Sequence, residues 1–173
     1  MPKNALAAVA IAFCYGVAVD DICHVLQEFA GVEHRLEYVA TLNGVEYFND
    51  SKATNTDAAM EALDFFPGGI LLIAGGKNKD MNFAPWVQMF KQKVEKLILI
   101  GEAAKDIASV CQNTGFSDYC FADSLQEAVV LAKSFAKRGQ IVLLSPSCAS
   151  FDMFKDYEER GKLFKNYVKG VDV

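Results

Sequence analysis

The loop Asn49-Asp50-Ser51-Lys52-Ala53-Thr54-Asn55 separates two segments with different hydrophobic periodicity. The short run 45–48 before it is typical of a strand, and residues 57–63 after it have the spacing of a helix. The loop carries a carboxylate, an ammonium, hydroxyls and amides, which is more than a tight turn requires. Two interpretations stay open: one of its Ser, Thr or Asn residues simply caps the helix, or the loop binds a nucleotide or a small anion.

After this loop, apolar runs alternate with helical patterns. Runs that are apolar throughout suit strands buried on both faces of a parallel sheet. They lie at 70–74, 97–100 and 141–144, with a weaker one at 119–121. Helical patterns lie at 84–93, 102–113, 124–138 and 152–168. The alternation predicts a doubly wound α/β domain with a mostly parallel sheet.

An N-terminal β-hairpin is predicted just before the loop, because Asn43-Gly44 separates two alternating runs. Two helical patterns come still earlier, at 4–15 and 20–29. Two short helices cannot bury both of their faces by themselves. We therefore predict a boundary at about residue 34, with residues 1–33 ending one domain and residues 34–173 forming the α/β domain.

Composition restricts the classes of function. The apolar content of 52% and the charged content of 23% are those of an ordinary globular protein. A formal charge of −5 argues against general nucleic-acid binding, which needs a basic face. The apolar run near the N-terminus is too short to span a membrane. The five cysteines are odd in number and contain no C-x-x-C pair, which favours reduced thiols in a cytosolic protein over a zinc site.

The predicted topology brings four polar loops to one edge, because parallel strands share the edge at which their carboxyl ends lie. The loops are 50–55, 75–79, 101–102 and 145–150. Together they supply ammonium groups, hydroxyls and helix N-termini, which suit carboxylates or phosphates. The chain contains neither a G-x-x-x-x-G-K-[ST] loop nor a G-x-G-x-x-G turn, so P-loop and dehydrogenase-type dinucleotide sites are not predicted in it.

Single residues in these loops have structural as well as functional interpretations. Cys148 is predicted to be a small buried thiol, since the sequence shows no Cys–His pairing. Ser150 is a good N-cap for the predicted helix 152–168. Arg35 next to His34 is either a solvated pair or part of a ligand site at the domain junction.

Four stretches together resemble the Mur ligase family, in particular its members that add D-glutamate. They are the loop 49–55, His34-Arg35-Leu36-Glu37, Gly75-Gly76, and Leu144-Ser145-Pro146-Ser147-Cys148-Ala149-Ser150-Phe151-Asp152. The family has an N-terminal UDP-sugar domain, a central ATPase with a P-loop, and a Rossmann-like C-terminal domain. The resemblance implies that residues 1–33 are the end of the central domain and residues 34–173 the D-glutamate-binding domain. We therefore expect a C-terminal part of a longer bacterial, cytoplasmic ligase.

The resemblance also implies a reaction. Family members of this kind use ATP and Mg²⁺ to convert the alanyl carboxylate of UDP-MurNAc-L-alanine to an acyl phosphate. The amine of D-glutamate then attacks to form an amide in peptidoglycan precursor synthesis. ATP and Mg²⁺ are expected to bind mainly outside this chain, which on its own is expected to be inactive and to hold no metal site. The alternative is a stand-alone module that binds a small anion without catalysis.

Matched position by position, the resemblance assigns roles around the nucleotide. Lys52 lies close to the reacting centre, and His34 belongs to the junction motif, so both are expected to be catalytic. Asn4 is expected near the adenine. Arg35 and Asp50 are expected to face the phosphates and ribose of ATP.

The D-glutamate contacts follow from the same match. Thr54 and Lys79 are expected to hold the α-carboxylate, while Ser150 and the backbone near Tyr157 hold the side-chain carboxylate. The chain departs from the family pattern at Lys77, where Asp is usual, and at Tyr157, where Phe is common.

Overall fold

The computed structural model describes residues 2–29 and 31–171. Residue contacts divide the chain into two compact units, Met1–Gly31 and Val32–Val173. The first unit contains α1, Pro2–Cys14, and α2, Val19–Glu28, as the periodicity predicts. Its assignment to a central ATPase domain stays a prediction. No helix within the described ranges is both long and apolar enough to cross a membrane.

The second unit alternates strands and helices after an initial hairpin. The strands are β1 Glu37–Leu42, β2 Val45–Asn49, β3 Ile70–Gly75, β4 Val94–Ile100, β5 Tyr119–Phe121 and β6 Ile141–Leu144. The helices are α3 Thr56–Phe65, α4 Ala84–Gln88, α5 Phe90–Lys93, α6 Ala104–Thr114, α7 Leu125–Phe135 and α8 Tyr157–Lys169. The predicted helix 84–93 is thus two short helices.

The strands form one sheet in the order β1-β2-β6-β3-β4-β5. Only the β1–β2 hairpin is antiparallel, and Asn43-Gly44 forms its turn as predicted. The pairs β2–β6, β6–β3, β3–β4 and β4–β5 are parallel. The predicted fold class is confirmed, and the carboxyl ends of β2, β6, β3 and β4 lie along one edge.

Apolar clusters cover both faces of the sheet, which explains why its central strands are apolar throughout. All six residues of β3 are buried. One face packs against Leu63, Trp86 and Phe90 from α3, α4 and α5. The other packs against Val129 of α7 and Phe164 of α8. The helices on both faces complete the doubly wound arrangement.

The last helix begins later than the sequence predicts. Residues 150–156 form turns, in which the carbonyl of Ser150 accepts hydrogen bonds from the N–H groups of Met153 and Phe154. The N-cap is Asp156, whose side chain accepts from the N–H of Glu159 at 2.8 Å. The predictions of a helix from residue 152 and of Ser150 as its N-cap were therefore wrong.

The loop 49–55 does cap α3, and the capping residue is Asn55. Its Oδ1 accepts from the N–H of Ala58 at 2.9 Å. Asn55→Ala should lower the free energy of unfolding by about 1 kcal/mol, whereas Asn55→Gly should cost only a few tenths. Urea denaturation of the wild type and both variants measures this. Equal stability of the wild type and the Asn55→Ala variant would remove the capping role.

Candidate functional site

Asp50 lies buried at the carboxyl end of β2. Its backbone N–H donates to the carbonyl of Leu144, which places it beside the end of β6. Its carboxylate accepts from the N–H of Leu36 at 3.2 Å and from the hydroxyl of Ser145 at 2.9 Å. Burial raises its pKa to about 6, against which these two hydrogen bonds and the charge of Arg35 act. A carboxyl group with such a pKa in a strand-end loop is typical of a functional site.

His34 is buried next to Asp50's loop in a left-handed backbone conformation, with φ of 65°. Asn49 Oδ1 accepts from the N–H of Ser51 at 3.1 Å, so the Asn49 amide nitrogen faces His34 Nδ1 at 2.9 Å and donates to it. The neutral imidazole therefore carries its proton on Nε2. Burial lowers the pKa of His34, although the nearby carboxylates oppose this shift.

The acidic neighbours of His34 are already paired with a cation. The ligand atoms of Glu33, His34 and Glu37 lie within 4.8 Å of one another, as a metal site requires. However, Lys165 donates to Glu33 at 2.6 Å and to Glu37 at 2.8 Å. These contacts lower the pKa of Glu33 and, against burial, that of Glu37. Both carboxylates are therefore already paired with an ammonium group, which a metal ion would have to displace.

Ser51 connects the loop to α8. Its hydroxyl donates to the carbonyl of Tyr157 at 2.7 Å and accepts from Nε of Arg160 at 2.9 Å. The side chain of Lys52 then extends over the Tyr157 ring, with Nζ 5.6 Å from the ring centroid. This distance is within the range of a cation–π interaction. Thr54 is half-buried further along the same loop.

The end of β3 approaches its neighbours very closely. A Cβ on Gly75 would lie 2.0 Å from the carbonyl oxygen of Ile100, and one on Gly76 would lie 2.3 Å from that of Ala149. Both positions therefore require glycine. The next residue, Lys77, pairs by its backbone with Ala149, and its side chain is exposed.

Lys79 reaches the loop that follows β6. Its Nζ lies 5.6 Å from the centroid of the Phe151 ring. Ser150, directly before Phe151, is buried. Asp152 in turn accepts from the N–H of Glu102 at 3.0 Å, which joins this loop to the end of β4.

The structure links some of the predicted site residues by direct contacts and places the others on different loops or elements. His34 and Lys52 both contact the ring of Tyr157. Asp50 lies in the same loop as Lys52, but its carboxylate contacts Leu36 and Ser145. Of the other predicted residues, Lys79 lies on the loop after β3, Ser150 on the loop after β6, and Thr54 on the loop 49–55. Arg35 is exposed on the turn after residue 34, and Asn4 is exposed on α1 in the first unit. Their roles stay predictions.

Two residues of this site were missed in the sequence, Asn49 and Arg160. Asn49 is the first residue of the loop 49–55, but its sequence context predicts no role for it. Arg160 is buried in α8 in line with Phe164 and Val168, at the spacing of one helical face. An arginine on an apolar stripe was the available signal. Cys148 is buried as predicted, and burial raises the pKa of its thiol to about 12.

The fold and the site define a doubly wound α/β domain whose candidate ligand site lies at the carboxyl ends of its strands. The chain belongs to the Mur ligase family: residues 34–148 match the model of the Mur ligase, glutamate ligase domain. Over 166 residues it is 49% identical to the UDP-N-acetylmuramoylalanine–D-glutamate ligase of Pelotomaculum thermopropionicum. It is 47% identical, also over 166 residues, to the ligase of the same name from Caldicellulosiruptor bescii. Each match covers 96% of this chain but 36% of the relative, so the chain spans about a third of their length.

Solved structures share the fold at lower identity. The UDP-N-acetylmuramate–alanine ligase of Thermotoga maritima superposes with a TM-score of 0.69 at 17% identity, over 98% of this chain and 37% of that one. The folylpolyglutamate synthase of Mycobacterium tuberculosis, complexed with ADP, has a TM-score of 0.66 at 15% identity, over 92% and 38%. These likenesses concern the fold alone.

Asp50→Asn tests the stability cost of the buried carboxyl group. Its pKa of about 6 in the folded chain lies above the ordinary 3.8, so the folded state binds the proton more tightly than the unfolded state. The stabilising contribution is therefore complete below about pH 4 and is lost as the pH rises to about 6. We expect Asp50→Asn to exceed the wild type in stability above pH 7, by on the order of 2–3 kcal/mol. Urea denaturation from pH 4 to 8 measures the difference, and parallel pH profiles would contradict it.

Proposed function

We propose that this chain is the D-glutamate-binding, C-terminal part of an ATP-dependent ligase that adds D-glutamate to UDP-MurNAc-L-alanine in peptidoglycan precursor synthesis. The observation that carries the proposal is the match of residues 34–148 to the glutamate ligase domain of the family. Relatives named UDP-N-acetylmuramoylalanine–D-glutamate ligase match 96% of the chain. In this proposal, residues 1–33 end the central ATP-binding domain and residues 34–173 form the D-glutamate domain.

The proposed contacts to D-glutamate come from three loops of the strand-end edge. Lys79 and Thr54 bind its α-carboxylate, and Ser150 and the backbone near Tyr157 bind its side-chain carboxylate. The observed start of α8 supports the last contact, because Tyr157 is the first residue of the helix. The first N–H groups of a helix have no partner within it and favour an anion.

The proposed roles toward ATP involve a different set of residues. Asp50 and Arg35 face the phosphates and ribose, and Asn4 lies near the adenine. His34 belongs to the motif at the predicted domain boundary near residue 34. A carboxylate is a poor electrophile, so conversion to an acyl phosphate gives it a leaving group before the amine attacks. The positive charge of Lys52 would then stabilise the negative charge that develops at the tetrahedral centre.

Magnesium is proposed to bind outside the residues of this chain. In the part of the chain that the structure describes, the one cluster with metal-site spacing is Glu33, His34 and Glu37, whose two carboxylates are already paired with Lys165. The sequence also contains no P-loop, the element that holds ATP phosphates and the metal in such enzymes. The proposal includes a cytoplasmic location. All five cysteines are unpaired, which is consistent with a reducing compartment.

Titration of this chain with D-glutamate, D-glutamine and ATP, followed by NMR, tests the proposal. We expect D-glutamate to shift amide signals of the loops at Thr54, Lys79, Ser150 and Tyr157, and D-glutamine to bind more weakly because it lacks the second carboxylate. Equal binding of both ligands, or shifts elsewhere in the chain, would favour a general small-anion module instead.

The chain alone should neither hydrolyse ATP nor form an amide. The phosphate-binding P-loop is absent from its sequence, and in related chemistry this loop supplies the main phosphate contacts. The measurement is release of ADP and phosphate from the purified chain with ATP, Mg²⁺ and both other substrates. Turnover above the buffer background, and in proportion to the protein concentration, would overturn the prediction.

Lys79→Ala should weaken D-glutamate binding about tenfold or more, since a charge-assisted hydrogen bond of roughly 1.5–3 kcal/mol is lost. The free energy of unfolding should change by less than about 0.5 kcal/mol, because Lys79 is an exposed loop residue. In a whole ligase with this sequence, the KM for D-glutamate should rise.

Lys77→Ala is the matched control for this measurement. It removes the same charge from the same loop, and the backbone pairing of Lys77 with Ala149 does not involve its side chain. Affinity for D-glutamate should change much less than in Lys79→Ala. If both variants lose affinity equally, Lys79 contributes only net charge.

A further inference from the structure

Arg160 carries a buried positive charge that no carboxylate contacts directly. It is 1% exposed, and among the described residues no acidic oxygen lies within 4.0 Å of its guanidinium group. Burial lowers its pKa to about 10, and the more distant Asp152 acts in the opposite direction. The group thus stays charged at neutral pH. An isolated buried charge is costly unless all of its donors are used.

The donors of Arg160 join two loops at the strand-end edge. Nε donates to the hydroxyl of Ser51 and Nη2 to its carbonyl, both at 2.9 Å. Nη1 and Nη2 donate to the carbonyl of Cys148, both at 3.1 Å. A Cβ on Gly76 would lie 3.3 Å from Nη1, so the β3 loop packs against the same group. One side chain therefore fixes the spacing of loops after β2, β6 and β3.

Ser51 transmits this constraint to Lys52. The Ser51 hydroxyl, held by Arg160, donates to the carbonyl of Tyr157 at 2.7 Å. The backbone N–H of Lys52 donates to the carbonyl of His34 at 3.0 Å, which fixes the other side of the loop. The Lys52 ammonium then lies over the Tyr157 ring. The direction of Lys52 thus depends on Ser51, which Arg160 holds directly, and on Tyr157, whose carbonyl the Ser51 hydroxyl binds.

We propose that Arg160 is a positioning residue for the ligation: its planar guanidinium holds Ser51, and through the Ser51 hydroxyl the carbonyl of Tyr157, so that Lys52 points to the D-glutamate site. This inference rests on the proposed function of Lys52 and Tyr157. A lysine at this position would keep the charge but lose the fork of donors that reaches both loops. Arg160→Lys therefore separates geometry from charge.

The test is an NMR measurement on this chain without ligand. In the wild type, the Tyr157 ring should shift the ε-methylene protons of Lys52 upfield. Arg160→Lys and Arg160→Met should both lose this shift while amide spectra show a folded protein. Lys162→Met, which removes an exposed charge from the same helix, is the control and should keep the shift. A folded Arg160→Lys protein with an unchanged Lys52 shift, or a wild type without one, overturns the proposal.

Ser51→Ala decides the matter if the Arg160 variants do not fold. It keeps the charge of Arg160 and removes only the hydroxyl between Nε and the Tyr157 carbonyl, so the Lys52 shift should again be lost; an unchanged shift overturns the proposal.

D-glutamate titrations form a separate arm of the test. If wild type binds D-glutamate, a folded Arg160→Lys protein should bind it about tenfold more weakly, and unchanged affinity overturns the functional part. Failure of the wild type to bind D-glutamate counts against the proposed function, whereas the Lys52 shift still decides whether Arg160 positions this loop.

Discussion

The hydrogen bonds between Arg160 and Ser51 are the constraint on which the strand-end edge depends. They join residues 109 positions apart, and the same guanidinium also binds the carbonyl of Cys148. The four hydrogen bonds of this guanidinium group offset the cost of burying its charge in an interior of low dielectric constant. The loops it connects are therefore held in one arrangement. The proposed D-glutamate site would have to place two carboxylates and an amine, and loops that are ordered before the ligand arrives favour such binding.

Two ionisable side chains, Asp50 and Arg160, are buried at this edge, although a sheet with a purely structural role would not need them. Burial raises the pKa of Asp50 to about 6 and lowers that of Arg160 to about 10, so burial destabilises the charged form of both groups. Apolar residues of similar size often serve a core equally well or better. A buried carboxyl group after β2 and a buried guanidinium group on α8, with opposite pKa shifts, are therefore typical of a site selected for binding or chemistry rather than for stability.

The sheet was predictable because its signals are local, whereas the start of α8 and the Arg160 contacts were not recognised. Fully apolar runs identified β3, β4 and β6, and Asn43-Gly44 identified the hairpin. The misplaced helix start had a local signal too, since Asp156 followed by Glu159 has the spacing of a capping box. The position of Arg160 on an apolar stripe indicated that it is buried, but no local signal indicated its contacts, because they join segments that only the completed sheet brings together. Sequence periodicity describes single elements, not the side chains shared between them.

The fold alone does not determine the ligand. An alanine ligase and a folylpolyglutamate synthase share it with this chain at 17% and 15% identity. The ligand is therefore selected by the loops at the carboxyl ends of the strands, as in other open α/β sheets. In this chain those loops are tied to one another through Arg160, Asp50 and Asp152 rather than through the strands alone. The loops that carry the proposed D-glutamate residues are therefore connected, and the geometry of each loop depends on the others.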